Sequence, residues 1–198
     1  MTSDQWYRLL YPVVRFGVTI AYPVKVHGRE NIPEGGGLVC ANHYSALDPI
    51  FVAFALTGKR PIRPIAKESL LKIPVIGYLL KLIGCIGVKR GASDIAAVKI
   101  ALEQLNNHGY VVIFPEGTRI RSREEGEPKT GAAMLATRTG VNVIPVYVPQ
   151  KKRVFRLNHV YVGQPFKMIP AGRRATSAEY GVFTKQLMDK IYDAGDGK

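Results

Sequence analysis

Short unbroken apolar runs alternate with longer amphipathic stretches along most of this chain, a pattern that predicts alternating strands and helices. Residues 24–28 and 37–41 read as brief strands separated by a Pro-Glu-Gly-Gly-Gly turn. Residues 49–56 read as a buried helix that stops at Gly58, with Asp48 as its N-cap and Pro49 at the first helical position. A strand at 62–66 follows, then an apolar helical region at 69–83 interrupted by Pro74, then a strand at 84–88. Residues 93–107 have helical periodicity: Ser93 or Asp94 can cap them, Ile95, Val98, Leu102 and Leu105 share a stripe, and Gly109 stops them. The run at 110–114 is short and β-rich, as expected for a strand buried on both faces of a parallel sheet. A polar loop at 121–129, a small-residue helix at 130–139, strands at 141–148 and 160–162, and a terminal helix at 177–192 complete the series. This alternation predicts one α/β domain with a largely parallel central sheet flanked by helices.

The first 24 residues depart from that rhythm. They are apolar and aromatic from Trp6 onward, yet Arg8 and Arg15 interrupt them, and Pro12 predicts a kink. A membrane span needs about 20 mostly apolar residues, and an Arg near its centre costs about 2.5 kcal/mol or more. Neither a basic leader nor a small-x-small cleavage site marks a signal peptide. An amphipathic helix lying in the membrane interface suits Trp, Tyr and snorkelling Arg side chains, and packing on the protein's own core is the alternative. The same choice applies to Leu79, Leu80, Leu82 and Ile83.

Composition narrows the class. A chain of 198 residues that is 46% hydrophobic can bury a substantial core, and no internal repeat or low-complexity linker divides it. Cys40 and Cys85 both sit in apolar surroundings, which argues for buried thiols and against a disulfide framework or a Cys-based metal site. Successive blocks 1–50, 51–100, 101–150 and 151–198 carry net charges of 0, +7, 0 and +6, which add to the net +13. Two basic blocks favour an anionic partner: nucleic acid, an anionic bilayer, or an acidic substrate or carrier. A nucleic-acid-binding module is the weaker reading, because aromatic platforms, a recognition-helix pattern and zinc spacing are all missing from the sequence.

Two segments carry candidate chemistry. Asn42-His43-Tyr44-Ser45-Ala46-Leu47-Asp48 places an imidazole and a carboxylate five positions apart, directly after a strand and before a Pro-started helix. Two positions five apart on a regular helix point about 140° away from each other, so His43 and Asp48 meet only if His43 precedes the helix and the chain turns. A neutral imidazole can then take a proton from an alcohol attacking an acyl carbonyl, while the carboxylate fixes the tautomer. Read alone, His43 is better taken as an imidazole satisfied in a turn; the second segment reverses that preference. Phe114-Pro115-Glu116-Gly117-Thr118-Arg119 sits at the carboxyl end of a predicted strand and offers an Arg fork, a Thr hydroxyl and backbone N–H groups that Gly117 makes accessible to a phosphate. Glu116 either binds an acceptor hydroxyl or orders Arg119. Arg90 and Lys129 are further phosphate candidates. No Gly-x-Ser-x-Gly elbow presents a nucleophile, which favours direct attack by a bound hydroxyl over a covalent acyl-enzyme.

These segments, with Gly84-Cys85-Ile86-Gly87-Val88-Lys89-Arg90 and Val143-Ile144-Pro145-Val146, occur in the order of the four motifs of glycerolipid acyltransferases. From about residue 24 to 148 the chain resembles the 1-acylglycerol-3-phosphate acyltransferases of the PlsC type. The resemblance implies an acyltransferase domain over 25–198 behind a helical segment at 1–24. Its implied reaction moves a fatty acyl group from acyl-carrier protein or coenzyme A to the free hydroxyl of lysophosphatidic acid, giving phosphatidic acid. It also implies His43 as base with Asp48 as its partner, and Arg90, Glu116, Gly117 and Arg119 at the phosphate-bearing acceptor. Ile144 and Pro145 would lie on the acyl-donor side. No bound cofactor is expected, the acyl thioester is a co-substrate, and the implied location is peripheral on the cytoplasmic membrane face. Two residues depart from the pattern: Lys89, where relatives often have an acidic or polar residue, and Ile120, where Ser is common. Other lyso-lipids or glycerol-3-phosphate as acceptor, and a catalytically silent lipid-binding relative, are the alternatives within this resemblance.

Overall fold

The computed structural model describes residues 1–56, 61–89 and 94–196. Among these, strands β1 (Val24–His27), β2 (Gly37–Ala41), β3 (Ile62–Lys67), β4 (Ile86–Val88), β5 (Tyr110–Ile113), β6 (Val143–Tyr147) and β7 (Asn158–Val162) form one sheet. Their spatial order is β1-β7-β6-β2-β5-β3-β4. All pairings are parallel except β6 with β7, so β2 to β6 run one way while β1 and β7 run the other. The largely parallel sheet read from the apolar runs is therefore present, with an antiparallel addition at one edge. Pro145 is tolerated inside β6 because the ladder to β7 begins only beyond it, at Val146.

Alternation within the strands separates two cores. Leu38, Cys40, Val111 and Val143 face helices α4 (Ile95–Asn106), α5 (Gly131–Thr139) and α6 (Ser177–Asp196). Val39, Val112, Ile144 and Val146 face α1 (Ser3–Ala21) and α2 (Asp48–Ala55). Both faces of the central strands are thus covered, which is why β2 reads as a continuous apolar run. On α4 the buried line is Ala97, Ala101 and Leu105, with Val98 and Leu102 only partly buried and Ile95 exposed, unlike the expected stripe. Small residues win there because Ala132, Ala133 and Ala136 of α5 lie in the same core and permit close helix approach. Asp94 caps α4 by accepting the N–H of Ala97 at 3.1 Å, whereas Ser93 and Gly58 lie outside the described residues.

Helix α1 runs unbroken through Pro12, with one face packed on the protein's own core and the other exposed. Tyr7 is buried and stacks on Tyr11, which meets Phe54 of α2 edge-on. An ion pair between Asp4 and Arg63 of β3 fastens the first turn. On the opposite face Leu9, Val13, Phe16 and Ile20, spaced i, i+4, i+7 and i+11, are all exposed, Phe16 at 72%. The 69–83 region resolves into a 3₁₀ turn at Glu68–Lys72 and helix α3 (Ile76–Leu82), which packs on α1 and exposes Val75, Ile76 and Tyr78. No helix among the described residues is long and apolar enough to cross a membrane.

Candidate active site

Parallel strands β2, β5 and β6 all end on one edge of the sheet, and the chemistry-bearing residues leave from those ends. Asn42 organises the first exit. Fully buried, its side-chain amide donates to the carbonyl of Val148 and accepts the N–H of Val148, both at 2.8 Å, so the segments following β2 and β6 are clamped together. His43 is the next residue. The chain then turns, with Ser45 Oγ accepting the N–H of Leu47 at 3.1 Å, and enters α2.

Asp48 is not the N-cap that the sequence predicts: Leu47 holds that position and Asp48 is the first helical residue. Its carboxylate points back into the turn, where Oδ2 accepts the backbone N–H groups of Tyr44 and Ser45, each at 2.6 Å, and lies 3.2 Å from His43 Nδ1. The turn-mediated contact required by the five-residue spacing is thus formed. Asp48 is 0% exposed and His43 is 19% exposed at the side chain. With a proton on Nδ1 shared toward Asp48, Nε2 carries the lone pair of the neutral ring. The Phe114 ring lies 4.3 Å from the imidazole, centroid to centroid, and fixes its other side.

The turn after β5 folds over this pair. Ile120 donates its N–H to the His43 carbonyl at 2.9 Å, and Lys129 donates its N–H to Pro115 O at 2.8 Å. Gly117 adopts φ +67°, the left-handed region where a side chain is strained. Its N–H donates to Phe114 O at 2.9 Å, so this amide closes the turn. Glu116 points inward and is 3% exposed. Thr118, Arg119 and the Lys129 side chain are exposed, with Lys129 Nζ 3.6 Å from Glu127 and Arg119 unpaired among the described residues.

Glu116 has an unusual environment. Tyr192 of α6 donates to its Oε1 at 3.3 Å, and Oε2 is buried without a hydrogen-bond partner among the described residues. Burial, the largest cause, pushes the carboxyl up to about 7, and the nearby Asp48 charge adds to it. Burial likewise raises both phenols, so they stay protonated donors. A cavity of about 320 Å³ between the 121–130 loop and α6 has Tyr192 in its wall.

The structure therefore brings His43, Asp48, Glu116, Gly117, Thr118, Arg119 and Lys129 to one edge of the sheet. Arg90 lies outside the described residues, and Lys89 before it is exposed. Ile144 and Pro145 sit within β6, in register with Val39 and Cys40, and are buried rather than at the surface of the site. The sequence assigns no role to three contributors. Asn42 opens the first motif segment without a function of its own, Tyr192 lies on a terminal helix whose periodicity marks only its core face, and Lys152 is one of a basic run at 151–153. That lysine is 7% exposed, and its ammonium pairs with Asp48 Oδ1.

Residues 23–149 match the model of the family described as Acyltransferase. A 1-acyl-sn-glycerol-3-phosphate acyltransferase of Borreliella burgdorferi is 33% identical over 143 residues, 69% of this chain and 55% of the relative. One of Pseudomonas aeruginosa is 31% identical over 146 residues, 72% of this chain and 55% of that protein. The chain thus spans about half the length of these two relatives. In fold it is similar to the crystal structure of the 1-acyl-sn-glycerophosphate (LPA) acyltransferase, PlsC, from Thermotoga maritima, with a TM-score of 0.63 and 23% identity, covering 98% of this chain and 77% of that one.

Proposed function

The chain belongs to the acyltransferase family, and from that membership we propose that it transfers a fatty acyl group from an acyl thioester to the free hydroxyl of a 1-acylglycerol-3-phosphate. The observation that carries this reading is the contact of His43 Nδ1 with Asp48 Oδ2 at 3.2 Å, tied through Ile120 to the turn that holds Glu116. Nε2 of the neutral imidazole removes the acceptor hydroxyl proton as that oxygen attacks the thioester carbonyl. The new C–O bond forms, the tetrahedral intermediate collapses with loss of the C–S bond, and the imidazolium returns the proton to the thiolate sulfur. Each step needs only these groups and the two substrates; no enzyme nucleophile is involved.

Arg119, Thr118 and Lys129 are exposed beside this turn and suit the acceptor phosphate, with Arg90 as a further ligand. Glu116 makes no ion pair with Arg119 among the described residues and its buried Oε2 has no partner there, which favours the acceptor-hydroxyl role of Glu116 over ordering of Arg119. The donor is acyl-carrier protein or coenzyme A, whose acidic character suits the basic blocks of the chain. Attachment is peripheral, on the cytoplasmic membrane face: the exposed stripe Leu9, Val13, Phe16 and Ile20 on α1 and the exposed Val75, Ile76 and Tyr78 beside it form an apolar surface.

Purified protein given lysophosphatidate, glycerol-3-phosphate and lyso-aminolipids in parallel, with acyl-coenzyme A or acyl-carrier protein, tests the reading by lipid mass spectrometry. Phosphatidate is the expected dominant product. A product from an acceptor without phosphate would overturn the phosphate role of the 116–119 turn, and no product from any acceptor would overturn the proposal.

A further inference from the structure

Asp48 faces a second cation. Its Oδ1 lies against the ammonium of Lys152, which arrives from the loop between β6 and β7, 104 positions later in the chain. Within 151–157 every other residue is exposed, and Lys152 alone is turned inward. The loop is built to hold it there. Asn42 clamps both backbone groups of Val148 on the near side, and Gln150 donates to Arg121 O at 2.6 Å. On the far side Asn158 accepts the N–H of Arg153 and donates to its carbonyl, at 2.8 and 2.9 Å. Lys152 Nζ is shielded from solvent and has no other acceptor among the described residues. Such a charge is costly to bury unless a partner offsets it, and here the partner is the carboxylate that also holds His43.

On the acid–base reading of the site, we infer that Lys152 is a positioning residue for the His43–Asp48 pair. Its ammonium occupies Oδ1 and leaves Oδ2 for the two backbone N–H groups and His43 Nδ1, so the carboxylate cannot rotate away from the imidazole. Its charge also cancels that of Asp48, which would otherwise draw a proton onto the ring and remove the base. The ionisable groups around the imidazole are Asp48 on α2, Lys152 in the β6–β7 loop, Glu116 in the turn after β5, and the phenols of Tyr44 and Tyr192 that adjoin Glu116.

The test uses the full chain with K152M, which keeps the aliphatic stem, and K152R, which keeps the charge. Rates with lysophosphatidate are measured against pH, and the His43 Cε1–H resonance, assigned through H43A, is titrated by NMR. In K152M the resonance midpoint moves to higher pH, and the acid limb of the rate profile moves with it. At pH 7 kcat falls about tenfold or more, a loss typical of an orienting partner, while the acceptor KM stays within about twofold. K152R keeps the wild-type limb. Unmoved midpoint and limb in K152M overturn the inference, even if the rate falls uniformly. If K152M does not fold, K152Q takes its place under the same criteria. Should wild type transfer no acyl group while the midpoint still rises in the variant, the proposed reaction fails and the positioning role stands.

Discussion

Glu116→Gln converts the buried carboxyl into a neutral group of the same shape, and the effect on stability follows from the protonation of that carboxyl. Burial raises Glu116 from 4.5 to about 7 in the folded state. The raised value means that the folded protein binds the proton more tightly than the unfolded chain. Stability is therefore fully present below 4.5 and is lost as pH rises through 7. Integrated from pH 5 to pH 8, the linkage costs wild type about 2.5 kcal/mol, an upper value because water reaching the site would relieve part of it. The Gln variant loses this term, while all other titrating groups are common to both proteins and cancel in the comparison. Urea denaturation followed by circular dichroism at the two pH values measures it: the stability of the variant relative to wild type rises by about 2 kcal/mol between them. Denaturation curves that shift in parallel, within about 0.5 kcal/mol, would refute the buried, charge-penalised environment assigned to Glu116. The same substitution weakens acceptor capture, because an amide is a poorer acceptor than a carboxylate for the acceptor hydroxyl. A variant more stable at pH 8 and yet less active is the joint expectation.

Two further variants separate the phosphate and membrane surfaces. Arg119→Ala removes an exposed guanidinium from the proposed phosphate site. A charge-assisted hydrogen bond is worth about 1.5–3 kcal/mol, so the acceptor KM should rise at least tenfold with kcat within about threefold, and an unchanged KM would exclude the phosphate role. Val13→Asp combined with Phe16→Asp charges the outward stripe of α1 and forfeits about 1.5–3 kcal/mol per apolar side chain. Flotation with anionic vesicles should be lost while turnover of detergent-dispersed lysophosphatidate is kept; retained flotation would place the membrane contact elsewhere.

The strands and the site were legible to different depths. Apolar runs without polar interruption marked β2, β5 and β6 because a parallel strand covered on both faces has no polar side to show. The spacing of His43 and Asp48, with Pro49 behind them, carried its own geometric requirement, and the turn meets it. Less legible was everything decided by distance along the chain. The antiparallel pairing of β7 with β6 depends on a loop route, and three residues at 160–162 give little periodicity. Ala97 and Ala101 outrank Ile95 on α4 because close packing against α5 selects small side chains, a preference invisible to a hydrophobic stripe. Gly117 was legible as a turn residue, but not that its amide closes the turn on Phe114 O. Lys152 and Tyr192 were the least legible, because the residues they serve lie 104 and 76 positions away in sequence. A run of basic residues looks the same whether all are solvated or one is buried.

The most direct test of the account is the rate of phosphatidate formation by His43→Ala beside wild type, with lysophosphatidate and a labelled acyl donor under single-turnover conditions. Loss of a general base predicts a rate about 10² to 10⁴ lower, with acceptor binding retained and no label left covalently on either protein. Phosphatidate formed at the wild-type rate, or a stable acyl-enzyme trapped in the wild type, would contradict proton removal by His43 and direct attack by the acceptor hydroxyl.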